Sequence, residues 1–291
     1  MAFHLPKWHA IFFIYTTTRL ASLERTRSGS RQTMLRATGG AMRILLVNPN
    51  MTKALTDRMA EISRTVLPKG AELVPLTANR GFPYIASRAE AQVCGAVAYE
   101  MIAGHTHDTD AAIIAAFGDP GLAGARELFD FPVVGMAQAA LMTAAMLGER
   151  FAIVTFSPVM TRWYEDSVRD AGLISRFTGV RTPPSHSGDL DAIRENLRDE
   201  LIELCNAAVS EDGADVVILG GAPLAGFARE IEDDVAGIVV DPISAAVAQA
   251  VALLTTTSPR AFKRRHSKPM PKESEGLSPA LSRRFAQEGK K

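Results

Sequence analysis

Several segments of this chain recur about 105–107 positions further along, and that recurrence limits the folds open to it more than any other feature. Arg43-Ile-Leu-Leu-Val-Asn48 returns as Arg150-Phe-Ala-Ile-Val-Thr155. Asp110-Ala-Ala-Ile-Ile-Ala-Ala116 returns as Asp215-Val-Val-Ile-Leu-Gly-Gly221, and Phe131-Pro-Val-Val134 as Gly237-Ile-Val-Val240. Each is a short apolar run that closes on small or polar residues. Two similar lobes are the simplest explanation, chance likeness among strand-rich runs being the alternative.

The runs themselves fix the class. Strands are expected at 43–47, 72–76, 112–117, 132–136, 151–156, 179–182, 216–219 and 237–240. Segments such as 52–66, 88–105 and 190–210 place apolar residues at helical spacing between them. Strands alternating with helices imply parallel sheets covered on both faces, so the chain reads as an α/β protein with two pseudo-symmetric lobes and a site in the cleft between them. Residues 42–136 with 240–255 are expected to form the first lobe and 137–239 the second. The 1–41 segment, with six Lys/Arg against Glu24 alone, reads as an unstructured extension, an early start or a transit segment. The basic, proline-bearing 256–291 segment reads as an unstructured tail.

Charge narrows the partners. The formal net charge of zero conceals a body, 42–255, with 16 basic and 28 acidic side chains between two basic ends. A field of that sign repels phosphates, which argues against nucleic acid. No apolar run reaches the eighteen or so residues that cross a bilayer. Cys94 and Cys205 are too few for a disulfide framework and lack metal-ligand spacing, which suits a reducing cytoplasm.

In parallel α/β sheets ligands bind beyond the carboxyl ends of the strands. Four such ends carry turn-forming residues that open helices: Asn48-Pro49-Asn50-Met51-Thr52, Ala116-Phe117-Gly118-Asp119-Pro120-Gly121-Leu122, Thr155-Phe156-Ser157-Pro158 and Gly220-Gly221-Ala222-Pro223-Leu224-Ala225-Gly226. Any one reads equally as a cap or tight turn. At matching ends of a repeat they outline a polar slot, lined mostly by backbone, that would take a carboxylate or other anion. The candidate ligand contacts are Asn48, Asn50, Thr52, Phe117, Gly118, Thr155, Ser157, Gly220, Ala222 and Pro223.

Asn48-Pro49-Asn50-x-Thr52, the Phe117-Gly-Asp-Pro-Gly-Leu122 block, Pro132-Val-Val-Gly135 and Asp212-Gly-Ala214 together resemble the aspartate/glutamate racemase superfamily, in its hydantoin racemase branch. The resemblance implies a cofactor-independent enzyme, usually a homo-oligomer, acting on a small carboxylate or cyclic ureide at an acidic carbon beside a carbonyl. It implies also two cysteines on opposite faces of the substrate, one removing the α-proton while the other returns one. Thiols suit that work because they exchange protons near neutral pH. In this sequence the two positions hold Ala116 and Gly221, twin positions of the repeat, and both are small enough to enlarge the slot.

Other proton carriers near the expected cleft are few. Asp119 lies in a Pro-Gly turn and reads as a cap or a catalytic acid. His186 sits on the polar loop 183–188, with a pKa suited to proton transfer. Cys94 and Cys205 fall within helical runs, where a small buried hydrophobe is the ordinary role. Three readings stay open: a racemase-family enzyme without its usual thiols, a lyase, decarboxylase or isomerase of the same superfamily, and an inactive small-anion-binding protein.

Overall fold

The computed structural model describes residues 42–184, 193–264 and 268–287. The expectations for 1–41 and for His186 fall outside the described residues. The first half runs β1 (Arg43–Asn48), α1 (Lys53–Val66), β2 (Glu72–Thr77), α2 (Arg88–Ala103), β3 (Ala111–Ile114), α3 (Leu122–Leu128), β4 (Val133–Gly135) and α4 (Met136–Leu147). The second runs β5 (Phe151–Thr155), α5 (Thr161–Asp170), β6 (Phe177–Arg181), α6 (Ile193–Asn196), α7 (Arg198–Ser210), β7 (Val216–Gly220), α8 (Ala228–Ile231), β8 (Ile238–Val240) and α9 (Pro242–Thr256). Two short helices follow, α10 (Pro259–Phe262) and α11 (Pro279–Ala286).

The strands form two four-stranded parallel sheets of the same order, β2-β1-β3-β4 and β6-β5-β7-β8. Leu45 pairs with Val74 on one side and Ala112 on the other, and Ile153 pairs likewise with Val180 and Ile218. The internal repeat is therefore a repeat of topology. Along β1 the side chains alternate between faces: Ile44 and Leu46 join the core that continues into the second sheet, whereas Leu45 and Val47 face α2 and α3. Because both faces are covered, the run carries almost no polar residue. Strand β3 ends at Ile114, three residues short of the expected 117, because the chain turns through Gly118 (φ +104°) and Asp119 (φ +50°).

Helices α4 and α9 occupy twin places and both change sheets. After β4, α4 packs on β7 and β8; after β8, α9 returns to α1, β3 and β4, and the two helices lie against each other. Each N-terminus is held by a carboxylate that also fixes the neighbouring strand-end loop. Asp241 caps α9 by accepting from Ser244 N (2.8 Å), and its other oxygen accepts from Gly226 N (2.7 Å). At the corresponding cap of α4 stands Gly135, and the carboxylate comes instead from Asp119 in the β3 loop.

The described residues of the 256–291 segment, 256–264 and 268–287, depart from the unstructured tail expected there. Residues 268–287 lie along the first lobe, with α11 against α2 and Leu281 only 3% exposed among Ala98, Ile102, Phe129 and Phe131. Lys268 pairs with Asp130 and Arg284 donates to Thr106, so two of the basic residues that read as solvated have partners.

Candidate functional site

Strand-end residues of the two lobes meet. Phe117 packs edge-on against Tyr164 (ring centroids 4.6 Å apart), and Tyr84 against Phe156 (5.9 Å). Trp163 lies on Gly118, where a Cβ would collide with its indole, and Tyr164 lies on Gly220, where a Cβ would come within 2.9 Å of its ring. The slot expected to be lined by backbone is thus walled by five aromatic side chains. At Gly221 the space is already filled. A Cβ on Gly221 would stand 2.7 Å from Phe156 Cε1, and Gly221 holds φ at +119°, a region L side chains rarely adopt.

Around β1, the candidate amides form a closed network. Asn48 Nδ2 donates to Asn50 Oδ1 (3.0 Å) and Thr56 Oγ1 (2.9 Å), Asn50 N donates to Asn48 Oδ1 (3.2 Å), and Thr52 N donates to Asn50 Oδ1 (3.0 Å). Thr52 Oγ1 donates to Pro83 O (2.6 Å), which ties this loop to the segment carrying Tyr84. Asn48 and Asn50 are buried, so their first duty is to shape the loop.

At the end of β5, Thr155 Oγ1 donates to Gly220 O (2.7 Å), joining the β5 and β7 ends. Ser157, wholly buried, has an Oγ without a hydrogen-bond partner among the described residues. Unpaired buried hydroxyls are uncommon because burial without compensation costs about 1–3 kcal/mol. Ala116 and Ala222 are buried, and Pro223 O accepts from Arg58 of the other lobe (3.3 Å).

Asp119 acts as a cap. Its two carboxyl oxygens accept from Ala137 N (2.8 Å) and Gln138 N (2.7 Å) at the start of α4. Burial raises its pKa to about 7, opposed by these backbone donors and by Arg126. Neither cysteine stands at a strand end: Cys94 and Cys205 are buried in α2 and α7, where desolvation raises the first and pushes the second up to about 12. A thiol held above neutrality is a poor proton acceptor. Among the described residues no three His, Cys, Asp or Glu side chains gather into a metal-holding group, and no helix is long and apolar enough to cross a membrane.

Beside the aromatic wall lies a cavity of about 720 Å³, lined by Arg88, Gln92, Gly118, Asp119, Trp163 and Asp166 among others, but by neither Ala116 nor Gly221. Arg88 spans it from α2 to α5, donating to Asp166 Oδ2 (2.5 Å) and Arg162 O (3.1 Å). Tyr84, Phe156, Trp163 and Tyr164 were not among the residues the sequence nominated. For Trp163 and Tyr164 the signal was an aromatic pair one turn beyond Pro158, at the opening of a helix that follows a candidate strand end.

Two like-ordered parallel sheets, joined by an internal repeat and meeting at their strand-end loops, define a racemase-type α/β protein. The Asp/Glu/hydantoin racemase signature matches residues 44–250. A hydantoin racemase of Paenarthrobacter aurescens is 32% identical over 80% of this chain and 99% of its own. Allantoin racemase from Klebsiella pneumoniae superposes with a TM-score of 0.74 at 27% identity, covering 83% of this chain and 99% of that one. The allantoin racemase of Pseudomonas fluorescens gives 0.72 at 30% identity, covering 81% and 100%. This chain belongs to the Asp/Glu/hydantoin racemase family.

Proposed function

We propose that the chain binds a hydantoin- or allantoin-type ligand and promotes proton exchange with solvent water at the acidic carbon beside its carbonyl, with hydroxyl groups holding the ligand where its family carries two thiols. The observation that supports this reading is the Ser157 hydroxyl just beyond β5, wholly buried and unpartnered among the described residues, in a chain that shares its fold with the hydantoin and allantoin racemases. A cyclic ureide offers carbonyl and N–H groups that a lone hydroxyl satisfies in either sense. The proposal needs no cofactor and takes Ala116 and Gly221 as the positions of the missing cysteines, so inversion by paired thiols is not part of it. Solvent-deuterium incorporation next to the carbonyl tests it over a panel of hydantoins, allantoin and amino acids. Exchange with a hydantoin or allantoin is the expected result; none across the panel defeats the reading.

A second reading, a ligand-binding protein without turnover, is favoured by one contact. Phe156 occupies the space beside Gly221 that an acid/base side chain would need. A ligand-induced rise in melting temperature without exchange supports it.

A further inference from the structure

The turn Gly118-Asp-Pro-Gly121 does more than aim a cap at α4, because all four of its residues line the cavity of about 720 Å³. Helix α2 closes one side of that space. A Cβ on Gly95 would stand 3.0 Å from Gly121 Cα, and one on Gly124 would strike the phenol oxygen of Tyr99, so helix and turn touch through glycines. Helix α5 closes the other side, with Trp163 over Gly118 and Asp166 held by Arg88 (2.5 Å). The volume falls within the roughly 300–1,000 Å³ usual for small-molecule sites.

Most charges facing this space have partners. Arg88 and Asp166 neutralise each other, both oxygens of Asp119 accept from α4, and Arg126 donates to Val133 O and Gln138 Oε1. Among the described residues, Asp170, exposed at the rim, is the one lining charge without a partner. Three neutral groups of the lining also have no hydrogen-bond partner among the described residues: the amide of Gln92, the phenol of Tyr99 and the indole N–H of Trp163. Of these, Trp163 decides the chemistry. It is 8% exposed, and a buried indole N–H ordinarily has a partner. Nor is its Nε1 sealed off, since the unpartnered side-chain atoms shut from solvent among the described residues are Ser157 Oγ and Ser244 Oγ. The ring edge that carries Nε1 lies over Gly118, and both residues line the cavity.

We propose that this cavity binds a small neutral molecule bearing an amide and an apolar arm, with Trp163 Nε1 donating to the amide carbonyl. A carbonyl answers the indole because that N–H only donates, and Gln92 and Tyr99 offer oxygens to the amide N–H. Ala91, Pro120, Leu122 and Ala171 give the arm apolar surface. A charged ligand would shed water without meeting an unpaired opposite charge inside the cavity. The site involves neither Ser157 nor exchange at carbon, so it stands apart from the function proposed above.

The protein has two tryptophans, Trp8 and Trp163, so in the full chain carrying Trp8→Phe the indole emission is that of Trp163. N-acetylleucinamide, its anionic counterpart N-acetylleucine and its cationic counterpart leucinamide are titrated while that emission is followed. N-acetylleucinamide is expected to give a saturable change, and each charged analogue to bind about tenfold more weakly or worse. Calorimetry on the native chain, Trp163→Phe, Ala123→Phe and Ser157→Ala then locates the site. Position 123 is exposed and lines the cavity, so a ring there takes up the space without entering the core. Trp163→Phe and Ala123→Phe are each expected to weaken binding about tenfold or more, with the melting temperature of Ala123→Phe unchanged, and Ser157→Ala to leave it alone. No saturable change, equal affinity for the three compounds, or undiminished binding in either Trp163→Phe or Ala123→Phe overturns the inference. Binding lost in Ser157→Ala and kept in Ala123→Phe overturns it too, by placing the amide in the cleft. The hydroxyl reading is decided separately, by its own exchange assay.

Discussion

Phe156 Cε1 lies 2.7 Å from the point where a Cβ on Gly221 would stand, and Gly221 holds a backbone angle that suits only glycine. Placing a cysteine there meets both obstacles at once. Gly221→Cys is expected to destabilise the fold by about 1–3 kcal/mol through backbone strain and overpacking. The double change Ala116→Cys with Gly221→Cys is expected to show no racemisation of a chiral hydantoin by polarimetry. A melting temperature within a degree of the parent's would show that the loop adapts freely.

Asp119 sets a pH dependence. Its pKa is about 7 in the folded chain against 3.8 for an ordinary aspartate, so between those values the folded state binds the extra proton. Stability from this group is full below about pH 4 and is lost as pH rises through about 7. Melting temperatures of the parent should fall across that interval, and Asp119→Asn should flatten the fall. Asp119→Ala, which removes the acceptor of Ala137 N and Gln138 N, should cost about 1–2 kcal/mol in chemical denaturation, as lost caps do.

Ser157 separates stability from recognition. Its hydroxyl has no partner to lose, so Ser157→Ala should leave the unfolding free energy within about 0.5 kcal/mol of the parent or raise it slightly. Hydantoin affinity should fall in the same variant. Unchanged calorimetric binding would remove Ser157 from the ligand's contacts.

Leu281 tests the docked C-terminal segment. Truncating a side chain that is 3% exposed among Ala98, Ile102, Phe129 and Phe131 should cost about 2–4 kcal/mol in urea unfolding. A loss under about 0.5 kcal/mol is what an unattached surface residue would give.

The strands were legible because parallel strands buried on both faces must be apolar without interruption. Ile44–Val47 and Val216–Leu219 satisfy that rule. The cap formed by Asp119 was legible for a similar reason, since Gly118 and Gly121 permit the turn that aims its carboxyl back at α4. Local chemistry could not reveal what fills the cleft. Tyr164 reaches Phe117 only after the two lobes have closed on each other, and nothing near position 164 encodes that distance. The tail misled for a related reason. Lys268 and Arg284 resemble solvated charge until Asp130 and Thr106 arrive from far along the chain.

The exchange of α4 and α9 bears on how the chain comes into being. All four strands of the first sheet have been made once Gly135 leaves the ribosome, yet part of its cover is α9, which ends at Thr256. During synthesis, which runs from the N-terminus, that sheet waits with apolar surface bare until the second sheet has also been made. Neither half is a unit that can be cut out, secreted alone or recombined with a foreign partner, and a nascent chain stalled before α9 is a natural client for a chaperone.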